Sequence, residues 1–548
     1  MTSKTDLTNL GEVISTDVLI MGGGISGLLA AIKAKLARPA VSVLVVDKAT
    51  PGYAGQGPVS GGFSGFVKEG GLDEFLKWKV EAGGYLNDQE YAYAYYKDSY
   101  KVNLEMADLG APLTRDEKGE LIVRSFGAFG AGRGSVPWPS ALDTMQFLKG
   151  KARSEGVRIL PRIFVVELLT KGERVAGAVG FSIDNGQFYI LKAKATILAN
   201  GGCTYRYRTR YRHNSGVGVA MAYNVGAEMR NAEFANCVTA VTKDGLRGCR
   251  VAFEPAENAN GENIPEKYGV ENSWDFTVMV PLMQKEIQEG RGPIYSNEGR
   301  HDETPRVRKK LGMPLDQKVE IKFGVNGRLG PIRVGPHCRA TLPGLWAVGD
   351  ASFGGSALEG AVPPCSAALS GIPNAEITGC MAGPDAADFA AEAAAPQIDS
   401  SQVSRLKEQI YAPLEREAGF DPNDAIYQVQ EAIIPTKYSV FRSEERMQEA
   451  LAMIEEVKGR LPTLWAKDLH YLVKAHEAKS MALCAEITHR PALMRQESRG
   501  FHMREDYPER DDQNWLKWII IKKEKEGMKL WTEPVPIDKY KIKPPEKA

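Results

Sequence analysis

No apolar run in this chain reaches the roughly 18–20 residues that a helix needs to cross a bilayer. The first fifteen residues, Met1 to Ser15, are polar and lack the apolar core of a secretion signal. These absences predict a cytoplasmic protein with no direct membrane insertion. An excess of one charge is also missing, because 69 Lys and Arg balance 69 Asp and Glu. Nucleic-acid binding draws on a basic excess, so that class of partner is not expected. Seven cysteines (Cys203, Cys237, Cys249, Cys338, Cys365, Cys380 and Cys484) are scattered without a single C-x-x-C pair. An odd, dispersed set neither forms a disulfide framework nor offers the ligand spacing of a zinc site or iron–sulfur cluster. Reduced thiols and no metal in this chain are the expectation, with any cluster held on another chain. There is no internal repeat and no long low-complexity tract.

What is present is a globular composition, 43% hydrophobic and 25% charged over 548 residues. That length exceeds one compact core and predicts several domains. Asp17–Met21 is an apolar run followed by glycines and then by Leu28, Leu29, Ile32 and Leu36 at helical spacing. A second β-rich run, Val41–Val46, ends in Asp47. The pattern predicts strand, tight turn, helix and strand. Strand-like runs follow at Val157–Leu160, Phe164–Leu169, Val175–Phe181 and Phe188–Leu191, with the turn signal Asp184-Asn185-Gly186 between the last two. A polar, turn-rich stretch from 236 to 320 reads as an inserted cap. Apolar strand character returns at Leu345–Val348.

An Ala-rich linker is predicted over Ala386–Pro396 and a helix over 447–461, with Ser443 as its N-cap. The Lys- and Pro-rich tail from Lys522 reads as extended over the surface. The expected fold is α/β. A Rossmann-like FAD-binding domain (1–235 and 321–385) carries an inserted α+β cap (236–320). A helical domain (386–500) and a C-terminal extension (501–548) follow.

Gly22-Gly23-Gly24-Ile25-Ser26-Gly27 satisfies G-x-G-x-x-G directly after a strand and before a helix. Gly22 permits the tight turn, Gly24 lets the backbone approach a pyrophosphate, and Gly27 allows helix and strand to pack closely. The helix N-terminus supplies a positive dipole end to the phosphates. Asp47 lies where a carboxylate accepts ribose hydroxyls. Two later segments favour FAD over NAD. Ala195–Gly202 (ATILANGG) and Thr341–Asp350 (TLPGLWAVGD) resemble the secondary fingerprints of flavoproteins with two dinucleotide-binding domains, in which FAD lies extended. That likeness gives Asp350 a ribityl hydroxyl to bind. The predicted cofactor-binding set is Gly22, Gly24, Ser26, Gly27, Asp47, Lys48, Gly57, Gly201, Asp350 and Ser366.

Gln496–Asp512 (QESRGFHMREDYPERDD) resembles the C-terminal signature of the succinate dehydrogenase/fumarate reductase flavoprotein family. With the N-terminal fingerprint, the resemblance spans essentially the whole chain. Glu289–Tyr295 (EGRGPIY), the Lys243-Asp244-Gly245 turn and the tail Asn514–Trp531 look most similar to the adenylylsulfate reductase alpha subunit. The resemblance implies a small anionic substrate held between flavin domain and cap. It also implies a ferredoxin-like iron–sulfur partner subunit that receives or supplies electrons.

Several family positions differ here. Fumarate reductases carry a proton-donating arginine in a P-R-D element where this chain reads Ser273-Trp274-Asp275. Their histidine before T-M-G-G aligns with Asn326, and their helix-borne arginine has no match in Leu358–Leu369. The arginine that adenylylsulfate reductases place before the K-D-G turn aligns with Val241. Their histidine after the G-D element aligns near Glu359–Ala361. The flavin-attachment histidine of succinate dehydrogenases has no counterpart in Tyr53–Phe63 (YAGQGPVSGGF), which predicts noncovalent FAD.

Glu359-Gly360 precedes Val362-Pro363-Pro364-Cys365-Ser366, which either opens a helix toward the flavin or ends a loop. Arg206, Arg208, Arg210 and Arg212 alternate with other residues, which would put them on one face of an extended segment, as a solvated face or as an anion anchor. Arg250, His337 and Trp274 are the catalytic candidates: a cap cation, a proton carrier and a stacking wall. The expected function is an FAD-dependent oxidoreductase subunit with an altered substrate pocket. A fumarate reductase-like enoate reductase or dehydrogenase is one alternative, and a non-catalytic electron-transferring flavoprotein is another.

Overall fold

The run around Val18–Met21 lies at the centre of the main sheet because both of its faces are covered. Val18, Leu19, Ile20 and Met21 are all buried, as suits a parallel strand packed on two sides. The computed structural model describes residues 6–125, 132–207, 214–235, 237–242, 256–271, 276–296, 318–326, 330–361 and 369–545. The main sheet comprises β1 (Glu12–Met21), β2 (Val43–Asp47), β3 (Arg158–Pro161), β4 (Ile163–Lys171), β5 (Arg174–Ser182), β6 (Phe188–Leu198) and β7 (Leu345–Ala347). Its spatial order is β3-β2-β1-β6-β5-β4, with β7 also on β6. β3, β2, β1, β6 and β7 are mutually parallel, whereas β4 and β5 continue the sheet antiparallel. The first half of β6 pairs with β5 and its second half with β7.

Helix α1 (Ile25–Ala37) follows β1, and a second long helix, α2 (Ile372–Glu392), lies against it. A Cβ on Gly379 would stand 2.6 Å from the Ser26 carbonyl oxygen, and one on Gly383 would overlap that of Ala30. Equal four-residue steps along both helices mean that they run parallel in near backbone contact. Here the structure corrects the predicted linker. Residues 386–392 continue α2, Pro384 lies within the helix, and Ala386, Ala387 and Ala390 are buried. The alanines permit close helix packing against the core that holds Leu28, Ile32 and Trp346. The expected domain boundary at 385/386 therefore falls inside one helix.

The expected cap end at residue 320 is also corrected, because a strand runs Val319–Asn326 and pairs with Cys237–Thr242. It joins Ile294–Ser296 and Ala256–Glu257 in a four-stranded antiparallel sheet, with the helix Phe276–Gln288 beside it. Beyond α2, the helix predicted after Ser443 runs Glu444–Arg460, and the Ser443 hydroxyl accepts from the Arg446 N–H at 3.3 Å. The longest helix, α3, is Leu469–Met494. The tail does not simply lie extended. Lys517–Glu524 and Gly527–Pro534 form a hairpin that adds to Met229–Arg230, and Trp518 to Ile521 are buried. Four adjacent apolar residues outweigh the lysines that follow them.

The C-terminal signature forms a buried charge network after α3. Glu497 accepts from Arg495 Nη1 and from Arg499 Nε and Nη2, each at 2.8 Å, and from the Asp511 N–H at 2.9 Å. Arg495 also reaches Glu233 at 2.9 Å and the carbonyls of Trp515 and Lys517. His502 Nε2 meets the Arg495 carbonyl and its Nδ1 meets Arg442, each a partner that fixes a role. A carbonyl only accepts and a guanidinium only donates, so His502 is the neutral Nε2–H form. Burial, with Arg442 nearby, pushes its pKa well below the usual range. The network ties the end of α3 to the hairpin and to the Gly84 carbonyl through Arg499. Glu497→Gln leaves two buried guanidinium groups short of charge. It should lower unfolding stability by about 3–5 kcal/mol, measured by urea titration of the FAD-loaded protein.

Candidate functional site

Met21 pairs with both Val46 and Leu198, and Leu198 with Ala347, so four parallel strands end at one level. The segments that follow them therefore leave the sheet at one edge: Gly22–Gly24, Asp47-Lys48, Ala199–Gly201 and Val348–Asp350. The carboxyl edge of a parallel sheet is where doubly wound folds bind ligands.

The glycines at this edge are required by contact as well as conformation. Gly22 has φ 114°, and its N–H donates to the Val46 carbonyl at 2.8 Å. A Cβ there would overlap the Ala199 carbonyl oxygen, and one on Gly27 would overlap that of Gly22. Gly24 differs. It is the N-cap of α1, has no capping side chain, and has open space where a Cβ would be. No acidic residue lies in the first turn of α1. The helix thus presents uncapped N–H groups and its positive dipole end to an open, uncharged approach, as a pyrophosphate requires.

Asp47 Oδ2 accepts from the Gly23 N–H at 2.6 Å and Oδ1 from the Ala49 N–H at 2.7 Å. These bonds lock the carboxylate beside the turn and leave its remaining lone pairs for hydroxyl donors. Lys48 is aimed elsewhere: its ammonium lies 2.7 Å from Glu477 on α3. Glu477 also binds Arg206 and accepts from Ser215 Oγ at 3.1 Å. Burial opposes the charge on Glu477, but Lys48 and Arg206 prevail and hold its pKa low. Arg206 also corrects the extended-segment reading at its start. Tyr205 and Arg206 have φ of 53° and 50°, so the chain turns there; residues 208–213 lie outside the described residues.

The other expected cofactor residues distribute as follows. Ser26 is buried, and a Cβ on Gly349 would lie 2.9 Å from its Oγ, so the third glycine element packs directly on α1. The Gly349 N–H donates to Thr378 Oγ1 of α2 at 2.9 Å. Asp350 is half-buried and follows at the same edge. Gly57 opens a 3-10 turn, where a Cβ would lie 2.7 Å from Met145 Sδ and 3.4 Å from Ile25 Cγ1, at the start of α1. Gly201, with φ 74°, backs onto Asn214. Ser366 lies outside the described residues, as do the catalytic candidates Arg250 and Trp274. His337 is exposed in a 3-10 turn with φ 57°, while Cys338 beside it is buried against Thr378 and Tyr91.

Two buried polar atoms at this edge, Gln56 Nε2 and Asn200 Oδ1, have no hydrogen-bond partner among the described residues. Such orphans are costly unless a ligand or water satisfies them. With the open Gly24 approach, they fit a bound dinucleotide. FAD supplies two-electron exchange with a substrate and one-electron exchange with a redox partner.

Sequence reasoning missed one pair altogether. Lys79, on the helix Leu72–Ala82, binds Glu359 on the segment that leaves β7, and both are buried. Glu359 Oε2 has no partner among the described residues, and burial pushes its pKa up while Lys79 pulls it down. The only sequence signal was a lysine between two apolar residues, Trp78 and Val80.

Residues 17–296 match the family described as an FAD binding domain, and 429–548 match the fumarate reductase flavoprotein C-terminal family. An uncharacterized FAD-dependent oxidoreductase of Methanocaldococcus jannaschii is 26% identical, covering 95% of this chain and 98% of the relative. The succinate dehydrogenase flavoprotein subunit of Rickettsia bellii is 25% identical over 97% of this chain and 98% of its own length. Among solved structures, E. coli quinol fumarate reductase superposes with TM-score 0.84 at 21% identity, covering 98% of this chain and 99% of that one. Adenylylsulfate reductase of Archaeoglobus fulgidus gives 0.76 at 23% identity, covering 95% and 96%.

The glycine contacts give a direct check. Gly27→Ala forces a methyl group into the Gly22 carbonyl, so the variant should purify with little FAD, read from its visible absorbance. Gly24→Ala, with free space, should fold normally and lose FAD affinity more modestly.

Proposed function

Because the chain belongs to the succinate dehydrogenase/fumarate reductase flavoprotein family, we propose that this FAD-dependent oxidoreductase is the flavin-bearing subunit of a redox complex. The observation that carries this reading is the convergence of four strand ends on one edge, with an uncapped helix and an open Gly24 approach. The cofactor is held noncovalently, since no histidine occurs in Tyr53–Phe63. Gly22, Gly24 and Gly27 admit the pyrophosphate, Asp47 orients the ribose, and Asp350 binds the ribityl chain. Ser26, Gly57, Gly201 and Ser366 line the same path, and Lys48 contributes through its pair with Glu477.

The partner is an iron–sulfur subunit. Two observations support it: the dispersed cysteines of this chain, and the designation of the Rickettsia relative as a flavoprotein subunit. The substrate is a small anion bound between flavin domain and cap, with Arg250 as its cation and Trp274 as a stacking wall. His337 is the weaker candidate for proton transfer because it lies exposed in a turn. The pocket differs from that of fumarate reductases at Trp274 and Asn326. It differs again at Glu359, where a carboxyl paired with Lys79 occupies the segment in which adenylylsulfate reductases carry histidine.

The test is an anaerobic titration of the native complex with its co-purifying subunits. Bleaching of the flavin by AMP plus sulfite, and not by succinate, is the expected result. Reduction by succinate would overturn the argument from Trp274 and Asn326. Reduction by ferredoxin alone would leave the chain an electron carrier. Arg250→Ala should then lower kcat/KM at least tenfold, about 1.4 kcal/mol of transition-state stabilisation, with FAD content unchanged.

A further inference from the structure

Ser26 of α1 faces Gly379 of α2, so Ile25, the first residue of α1, stands level with Thr378. α2 begins at Ile372. Its first six residues therefore overhang the pyrophosphate end of α1 by about 9 Å, at 1.5 Å per residue. An FAD that passes α1 with its pyrophosphate extends its flavin half into the region this overhang borders. The opposite wall is the strand Phe63–Val67, which continues from the glycine-rich loop. A Cβ on Gly65 would lie 2.8 Å from Pro373 Cγ in the overhang.

This overhang carries a buried polar cluster that the cofactor reading leaves unused. Ser64 Oγ donates to Glu376 Oε1 at 2.5 Å, and Trp138 Nε1 donates to Ser64 Oγ at 2.9 Å. Tyr95 OH donates to Asn374 Oδ1 at 2.9 Å. Glu376 Oε2 and Asn374 Nδ2 are buried without partners among the described residues. Glu376 is 1% exposed and Asn374 fully buried. A carboxyl in this setting, with no cation against it, is a group that exchanges charge with its surroundings by gaining or losing a proton.

We propose that Glu376 is the protein's redox-linked proton site, taking up a proton when the FAD beside it is reduced. Negative charge that enters the flavin disfavours a neighbouring carboxylate and so favours its protonated form. Per two electrons delivered by a reductant such as dithionite, the bound FAD takes one proton. An ionised Glu376 takes a second from solvent, and the only bond formed on the protein is the carboxyl O–H. The groups around it cannot substitute. Ser64 and Trp138 approach from the two neighbouring strands, and Tyr95 approaches through Asn374. Cys380 lies one turn along α2, with Lys33 and Glu105 near it, while Tyr91 and Cys338 lie on the Thr378 side. Burial pushes the Glu376 carboxyl up to about 8, against a smaller downward pull from the Ser64 hydroxyl.

The sign follows. Below pH about 8 Glu376 is protonated whether FAD is oxidised or reduced, and one proton accompanies two electrons. Above it, Glu376 is ionised only in the oxidised protein, and two protons accompany two electrons. The midpoint potential should therefore fall by about 30 mV per pH unit below the break and about 59 mV above it. FAD content is measured first in every variant, so that loss of cofactor is not mistaken for loss of the proton. Glu376→Gln should keep the shallow slope throughout. It should also lose the protonated-carboxyl infrared band that wild type gains on reduction above pH about 8. A wild type without the break, or a Glu376→Gln protein that retains it, would overturn the proposal. If Glu376→Gln fails to hold FAD, Ser64→Ala decides. Removing the downward pull should move the break to higher pH, and an unmoved break rejects the assignment.

Discussion

The architecture depends on backbone-to-backbone contact at the ends of parallel strands. Gly22 against Ala199, Gly27 against Gly22, and α2 against α1 at Gly379 and Gly383 leave no room for a Cβ at any of these points. Close packing of this kind is worth little per atom pair and much in sum. Its main consequence is positional: the uncapped end of α1, the Asp47 carboxylate and the Val348–Asp350 segment are fixed relative to one another by main chain. A cofactor that touches all three finds the cradle already formed, so little ordering is left to binding.

Away from that edge the chain buries charge with opposite logic. Arg495, Glu497, Arg499 and Glu233 satisfy one another and several carbonyls. A fully paired network of this sort fixes geometry more than it adds stability, because desolvation offsets most of the Coulombic gain. Near the cofactor edge, Lys79–Glu359 is paired on one carboxylate oxygen only, and Glu376 has no cation at all. Complete pairing marks the scaffold, and incomplete pairing marks the region where a ligand or a changing charge can complete the set.

The legible parts of the sequence were those set by local rules. β1, β2 and α1 followed from an apolar run, glycines and helical spacing, and the helix after Ser443 from its cap and periodicity. Ala386–Pro396 misled because alanine suits both a featureless linker and a helix pressed against another helix. Only the tertiary contact with α1 distinguishes them, and no local pattern encodes it. The tail misled for a related reason: Trp518 to Ile521 is a strand only because Met229–Arg230 supplies an edge nearly 300 residues earlier in the chain. The cap boundary slipped because the strand Val319–Asn326 takes its partner from Cys237–Thr242.

The candidate site divides in the same way. Its cofactor half is built from main-chain geometry, which glycine spacing reports. Its chemical half is built from side chains that meet across long separations: Lys79 with Glu359, Ser64 with Glu376, Lys48 and Arg206 with Glu477. None of these pairs has a spacing rule, and each residue alone reads as an ordinary helical or loop polar group. Comparison with relatives exposes such positions only as losses, a histidine or arginine that is not there. The fold explains the losses as replacements, because a buried lysine and glutamate that pair stand where a lone glutamate would be untenable. Divergence within this frame is therefore best sought where buried carboxyls have exchanged partners, since the glycine cradle leaves little room for variation of its own.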